Sequence, residues 1–262
     1  MTLENANSNP LTLDERHHFL MRRLHSLSGI VPVGVFLIEH LLTNSRAFGW
    51  FGWFSGGREA FNEDVHWLHG LPYLPIVEVL FIFAPLAFHA LYGVKIALSS
   101  EPNTRAYRYG ANWRYTLQRV TGIIALLFIL VHLFKFRFAH WVGWGPEFIG
   151  SDDPFTITMN GLNHWHPFGI EVPMVVTFAM YIVGLWATVF HFCNGIWTFC
   201  ITWGITVGER AQRRVGYAAI GLAVVLLIWG HASLAAFAQA GRNVAGPREQ
   251  AAPVVAQGET AD

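Results

Sequence analysis

Two histidines stand in matching settings in distant parts of the chain: His89 in LAFHALYGVKIA and His191 in VFHFCNGIWTF, followed four residues later by Gly93 and Gly195. An imidazole within a long apolar run is costly unless its nitrogens are occupied. A glycine one helical turn on clears the same face of side chain, so a flat group such as a porphyrin can lie against the backbone. The chemistry on offer is axial ligation of an iron macrocycle by neutral imidazoles.

The elements that must carry these histidines are apolar helices. Of 262 residues, 53% are hydrophobic and 13% charged, and the charges gather in a few loops, as in an integral membrane protein. Net charge is zero, so nothing points to nucleic acid. Cys193 and Cys200 lie seven apart on one expected helix, a rise of about 10 Å and too far for a disulfide. With no C-x-x-C or C-x-x-C-H motif, the chain offers no cysteine cage for zinc or iron and sulfur and no covalent haem attachment.

The sequence reads as an all-α membrane protein, a bundle of five transmembrane helices. Residues 1–24 form a cytoplasmic N-terminal segment that ends in a basic approach, and lack a signal peptide's layout. Spans are expected at about 27–48, 75–98, 115–138, 172–203 and 215–237 within a membrane domain of residues 25–240. Residues 241–262 read as a disordered tail. Pro85 interrupts the second span four residues before His89. The segments between spans one and two, and between spans three and four, read as polar and aromatic loops that form a cap.

Lysine and arginine give the orientation. Arg16, Arg22 and Arg23, then Arg105, Arg108, Arg114 and Arg119, then Arg210, Arg213 and Arg214 fall on one side. Arg46, Arg58, Lys135, Arg137, Arg242 and Arg248 are spread over longer segments on the other. The N-terminus is thus expected in the cytoplasm and the C-terminus outside. Trp50, Trp53, Trp67, Trp141, Trp144 and Trp165 gather in or beside the outer loops, as an interfacial belt does.

Counting along the spans places His40 and His132 level near the outer face and His89 and His191 level near the inner face. The two levels differ by roughly 8 Å. Four histidines on four helices at two depths make the pattern of two stacked bis-histidine haems. A faint duplication supports it: His40 lies eleven residues after Gly29 and His132 ten after Gly122, each followed by a span with H-x-x-x-G.

The strings RRLHSLSGIVPVGVFLIEHLL, FHALYGVKIA, WRYTLQRVTGII and FHFCNGIWTFCITWGITVGERAQR resemble the cytochrome b subunit of dihaem succinate:menaquinone oxidoreductases, the five-helix anchor of bacterial complex II. The likeness spans roughly residues 16–238. It implies that His40 and His132 hold a distal haem b and His89 and His191 a proximal one, non-covalently, in the cytoplasmic membrane of a bacterium. It further implies flavoprotein and iron-sulfur subunits docked on the cytoplasmic face, electrons passed to menaquinone near the outer face, and succinate chemistry carried out in another chain. Some fumarate-reducing relatives carry an acidic residue two positions before the fourth ligand; here it is Val189, which leans towards succinate oxidation.

Quinone reduction needs protons, and Glu78, Glu63 and Asp64 are the candidate donors, with His66 and His69 behind them. Glu39 is expected at an interface between helices. Gly93 and Gly195 are expected against the haem, and Arg22, Arg23, Lys95 and Arg119 at the inner edge, with Arg46, Lys135 and Arg137 at the outer, as partners of haem propionates. Topology alone equally accounts for each of these cations. His25 is a candidate contact of a propionate or of the iron-sulfur subunit; His17, His18, His140, His164 and His166 read as solvated, and His231 as an intramembrane histidine without a level partner. Three other readings stay open: a quinol:fumarate reductase subunit, a dihaem anchor of another respiratory dehydrogenase, and a haem-free transporter or anchor.

Overall fold

The computed structural model describes residues 13–50, 56–99 and 110–245. Those residues are helical apart from turns and one isolated antiparallel bridge, Trp165 to Val172. Five helical stretches are long and apolar enough to cross a membrane: Arg16–Ser45, Leu74–Leu98, Asn112–Lys135, Met174–Thr202 and Glu209–Val244.

The first is two helices in line, α1 (Leu13–Ile30) and α2 (Pro32–Ser45). Pro32 has no N–H to give the ladder, yet Val31 keeps helical angles (φ −80°, ψ −67°), so the hitch interrupts hydrogen bonds without ending the span. The helix begins well before the expected Leu27. Its early turns are fastened by the Arg23 guanidinium, which lies 4.5 Å over the Phe19 ring and 4.9 Å over Trp203. Of the expected cytoplasmic segment, residues 1–12 lie outside the described residues.

The segment expected as the first outer loop contains α3 (Arg58–His69), an amphipathic helix that buries Phe61 and Val65, one turn apart. The second span comprises α4 (Leu74–Glu78), a π-helical turn (Val79–Phe83) and α5 (Ala84–Leu98). The Ala84 N–H reaches back five residues to the Val79 carbonyl. That wider turn comes immediately before Pro85, which has no N–H to continue the ordinary ladder. α6 (Gly110–Lys135) is the third span, followed by the single turn α7 (Ala139–Val142) and by α8 (Pro154–Asn163). α9 (Met174–Thr202) and α10 (Glu209–Ala245) complete the bundle.

α9 is central and packs against α6, α10 and α1; α10 also packs on α2 and α8, and α1 on α5. One buried cluster (Leu41, Leu185, Val189, Phe192, Cys193, Ala219, Leu226) joins α2, α9 and α10. A second joins the loop helices to the spans through Phe61, Val65, Phe155, Met159, Leu162, Tyr181 and Phe237. α3 and α8 therefore form a packed cap over one end of the bundle. α10 outruns its expected end because Gly241 lies directly against Asn163 of α8, where a Cβ would collide. Asn163 also donates to the Phe237 carbonyl at 3.0 Å. Residues 241–245 are thus helix rather than tail, and 246–262 lie outside the described residues, as do Trp53, Arg105, Arg108 and Arg248.

Asp153 holds the cap together. It accepts from the Thr156 N–H at 3.3 Å as the N-cap of α8, from Asn62 Nδ2 at 3.0 Å, and from Arg58. Burial raises its pKa, but the bonds from Thr156 and Asn62 and the Arg58 charge outweigh it and leave the carboxyl below its ordinary value. Being depressed in the folded state, this group contributes stability that is complete above the ordinary carboxylate pKa of about 4 and is lost as pH falls through the lower folded value. Asp153→Ala should loosen the cap by about 1 kcal/mol, read as faster hydrogen exchange in Arg58–His69 at pH 7, and should flatten the acid dependence of that exchange.

Candidate functional site

A single cavity of about 1890 Å³ runs between α1–α2, α4–α5, α6 and α9. Ligand pockets usually span about 300–1000 Å³, so this one has room for more than one large planar group. Its walls are mainly aliphatic and aromatic, and His40, His89, His132 and His191 all lie on them.

The structure brings these four together in pairs. His40 faces His132 with ring centres 5.6 Å apart and planes at 82°; His89 faces His191 at 5.9 Å and 84°. Imidazole nitrogens bind metals at about 2 Å, so two rings on opposite sides of one metal have centres about 6 Å apart. The spacing of both pairs fits a shared iron.

The outward nitrogens are already assigned. His89 Nδ1–H donates to the His25 carbonyl and His191 Nδ1–H to the Gln118 carbonyl, each at 2.9 Å. That selects the tautomer whose Nε2 carries the free lone pair, the form a metal needs. His132 Nδ1 lies 3.2 Å from the Tyr181 hydroxyl, a group able to take a ring proton in the same way. Neutral imidazoles, a matching spacing and an apolar slot together fit haem.

The inner pair is built twice over by one local device. A Cβ on Gly29 would collide with the His89 ring, and one on Gly122 would lie 2.8 Å from His191 Cε1. Four residues before each glycine stands the carbonyl that takes the imidazole proton, at His25 or Gln118. Four residues after each histidine stands Gly93 or Gly195, where a Cβ would come 3.0 Å from His25 Nε2 or 3.5 Å from Gln118 Nε2. Both lie on the cavity wall, and each makes room for a neighbouring side chain. The Gln118 amide also donates to the His191 carbonyl at 3.0 Å and accepts from Asn194 at 2.7 Å; Asn194 in turn accepts from Arg114 at 2.7 Å. His25 instead stacks flat on His89, with centres 4.2 Å apart and planes 7° from parallel. The two H-x-x-x-G pairs and the recurring Gly29 and Gly122 marked this arrangement in the sequence, but not the carbonyl partners.

Polar groups on the cavity wall collect at its ends. At the arginine-rich end Arg22 and Arg119 reach it; Arg119 Nη1 donates to the Tyr115 carbonyl at 3.0 Å while its buried Nε has no partner among the described residues. Arg23 and Lys95 do not line it, and Lys95 lies 5.7 Å over Tyr92. At the capped end Arg137 grips Glu78 through both oxygens, at 3.1 and 2.8 Å, and both residues line the wall. Glu63 is exposed on α3, and Asp64 pairs with Arg46 at 2.9 Å; none of these three lines the cavity. Lys135 is buried with its Nζ 4.3 Å over the Trp165 ring. Glu39 lines the cavity and accepts from Thr43 Oγ1 at 2.8 Å. His69 lines it too, whereas His66 lies 3.0 Å from the Ser151 carbonyl. His231 is occupied at both nitrogens, accepting from Trp186 Nε1 at 3.3 Å and donating to the Leu227 carbonyl at 2.7 Å.

Comparison with known proteins adds an independent finding. The family model described as the succinate dehydrogenase/fumarate reductase transmembrane subunit matches residues 99–230. The chain is also 41% identical over 219 residues to the succinate dehydrogenase cytochrome b558 subunit of Bacillus subtilis (strain 168), which covers 84% of this chain and 96% of that relative.

Gly29→Ala should push the His89 ring from its carbonyl partner at a cost of about 1–3 kcal/mol. Any redox-active absorbance owed to His89 and His191 should then be lost or shifted, while that of the other pair survives in a redox-resolved spectrum.

Proposed function

The chain belongs to the succinate dehydrogenase/fumarate reductase transmembrane-subunit family, and from that membership we propose that it is a dihaem anchor that passes electrons from an iron-sulfur subunit to menaquinone. The observation that carries this reading is the presence of two histidine pairs in one apolar cavity, spaced at 5.6 and 5.9 Å. A haem bound at each would supply a one-electron iron couple. His40 with His132, and His89 with His191, hold the iron; the carbonyls of His25 and Gln118 fix the orientation of the inner ligands, and Tyr181 that of His132. Arg22 and Arg119, on the wall at the arginine-rich end, are the cations placed to meet haem carboxylates there.

The quinone belongs at the capped end, where the wall turns polar. Glu78 is the proton relay of this reading, a carboxylate on the wall, balanced by Arg137, that takes a proton from the aqueous side and passes it to the reduced quinone. The flavoprotein and iron-sulfur subunits dock on the cytoplasmic arginine-rich face, with the N-terminus inside and the C-terminus outside. Val189, fully buried among Leu41, Leu185 and Phe192, places no acid beside the fourth ligand, in line with succinate oxidation as the working direction.

A pyridine haemochrome assay with a redox titration should find two haems b per chain with separable midpoints; a folded, membrane-inserted chain without haem would overturn the reading. His40→Ala should remove one component and His191→Ala the other, and loss of the same component in both would refute the pairing. Glu78→Gln should keep both haems and slow quinone reduction by about 100-fold, measured as succinate:quinone turnover of the whole complex.

A further inference from the structure

Several buried polar atoms near the capped end lack a partner among the described residues, and His69 carries one that also lies on the cavity wall. It closes α3 on the cavity wall, and its Nδ1 is buried without a partner among the described residues. A buried polar atom left unpaired is unfavourable, so such an atom on a cavity wall marks a place where a ligand's polar atom belongs. The ring stands edge-on to Phe148, with centres 5.5 Å apart.

Three features indicate which ligand. First, the charges facing His69 already balance: Glu78 and Arg137 neutralise each other, and His66 is the remaining titratable neighbour. A second carboxylate would meet Glu78 unpaired, whereas a neutral molecule with carbonyl acceptors meets no charge penalty. Second, burial, with the charges of His66 and Arg137, lowers the His69 pKa against the pull of Glu78, which leaves a neutral ring with one N–H to donate. Third, the wall around it is formed by Leu68, Leu71, Leu74, Val77, Phe136 and Phe148, a lining for a flat apolar ring and its tail. Consecutive ring contacts then lead from His69 to Phe148, on to Phe136 at 6.3 Å and to the ligand His132 at 5.4 Å.

We propose that His69 anchors the quinone headgroup, its Nδ1–H donating to one quinone carbonyl beside the Glu78–Arg137 pair. The assignment rests on the reading of this cavity as a haem and quinone site. It makes His69 a substrate-contacting residue on the cap, distinct from the four paired histidines.

The test is equilibrium dialysis of menadione against the purified complex carrying its haems. His69→Leu should weaken binding about tenfold, the loss of one hydrogen bond, with both haem components unchanged. His69→Asn, whose amide nitrogen falls near the position of Nδ1, should recover most of that loss. Unchanged affinity in His69→Leu with both haems present would overturn the assignment. So would a loss that His69→Asn fails to recover while hydrogen exchange in Arg58–His69 rises, which would make the role one of holding the cap. Failure of the parent complex to bind menadione, with two haems present, would overturn the quinone site itself and the assignment with it.

Discussion

A neutral imidazole among hydrocarbon side chains has one N–H that must be donated before its other nitrogen can serve a metal. In this bundle the acceptors for His89 and His191 are backbone carbonyls, at His25 and Gln118, that already belong to helices. A helical carbonyl can take a second hydrogen bond only if a donor comes close from the side, and a side chain one turn on would block it. Gly29 and Gly122 remove that obstacle. The approach of α5 to α1, and of α9 to α6, follows from this requirement, and the cavity is the space those approaches leave.

The same device appears twice because the first two spans and the next two repeat a pattern, with differences confined to what stacks beside it. His25 and Gln118 occupy equivalent positions, yet one lays an imidazole on its histidine and the other ties its histidine into an amide network ending at Arg114. The inner pair is therefore symmetric in its backbone and asymmetric in its polar surroundings. The other pair departs from the device: His132 Nδ1 meets a side-chain hydroxyl, that of Tyr181, instead of a backbone carbonyl. Tyr181 belongs to the cluster that also holds α3 and α8, so the His40–His132 pair is coupled to the cap.

What the sequence makes legible follows its physics. Length and hydropathy mark five spans, and helical rise converts position along each into depth, so the level pairing of the four histidines could be counted before any contact was known. Azimuth and long-range partners are not coded that way. Nothing near Glu78 announces that Arg137 will hold it, or near His25 that it will lie on His89. Glu39 sits next to a ligand in sequence and reaches the cavity wall because the α2 helix turns it there. The cap was legible only as aromatic-rich segments. Its two helices are short, and they are held largely by partners far along the chain, as when Asn62 and Arg58 meet Asp153.

The two ends of the cavity solve different electrostatic problems. Among the wall residues, positive side chains at the arginine-rich end have no carboxylate opposite them, whereas the capped end pairs its guanidinium with Glu78 through both oxygens. Positive charge with no carboxylate opposite it favours an anionic group, so the first end is suited to one such as a haem carboxylate. A neutralised pair exerts a much weaker field, so the second end accepts an uncharged molecule and still offers donors and a proton. The division of the slot into an anion-facing and a neutral-facing end follows from where Arg137 finds its partner.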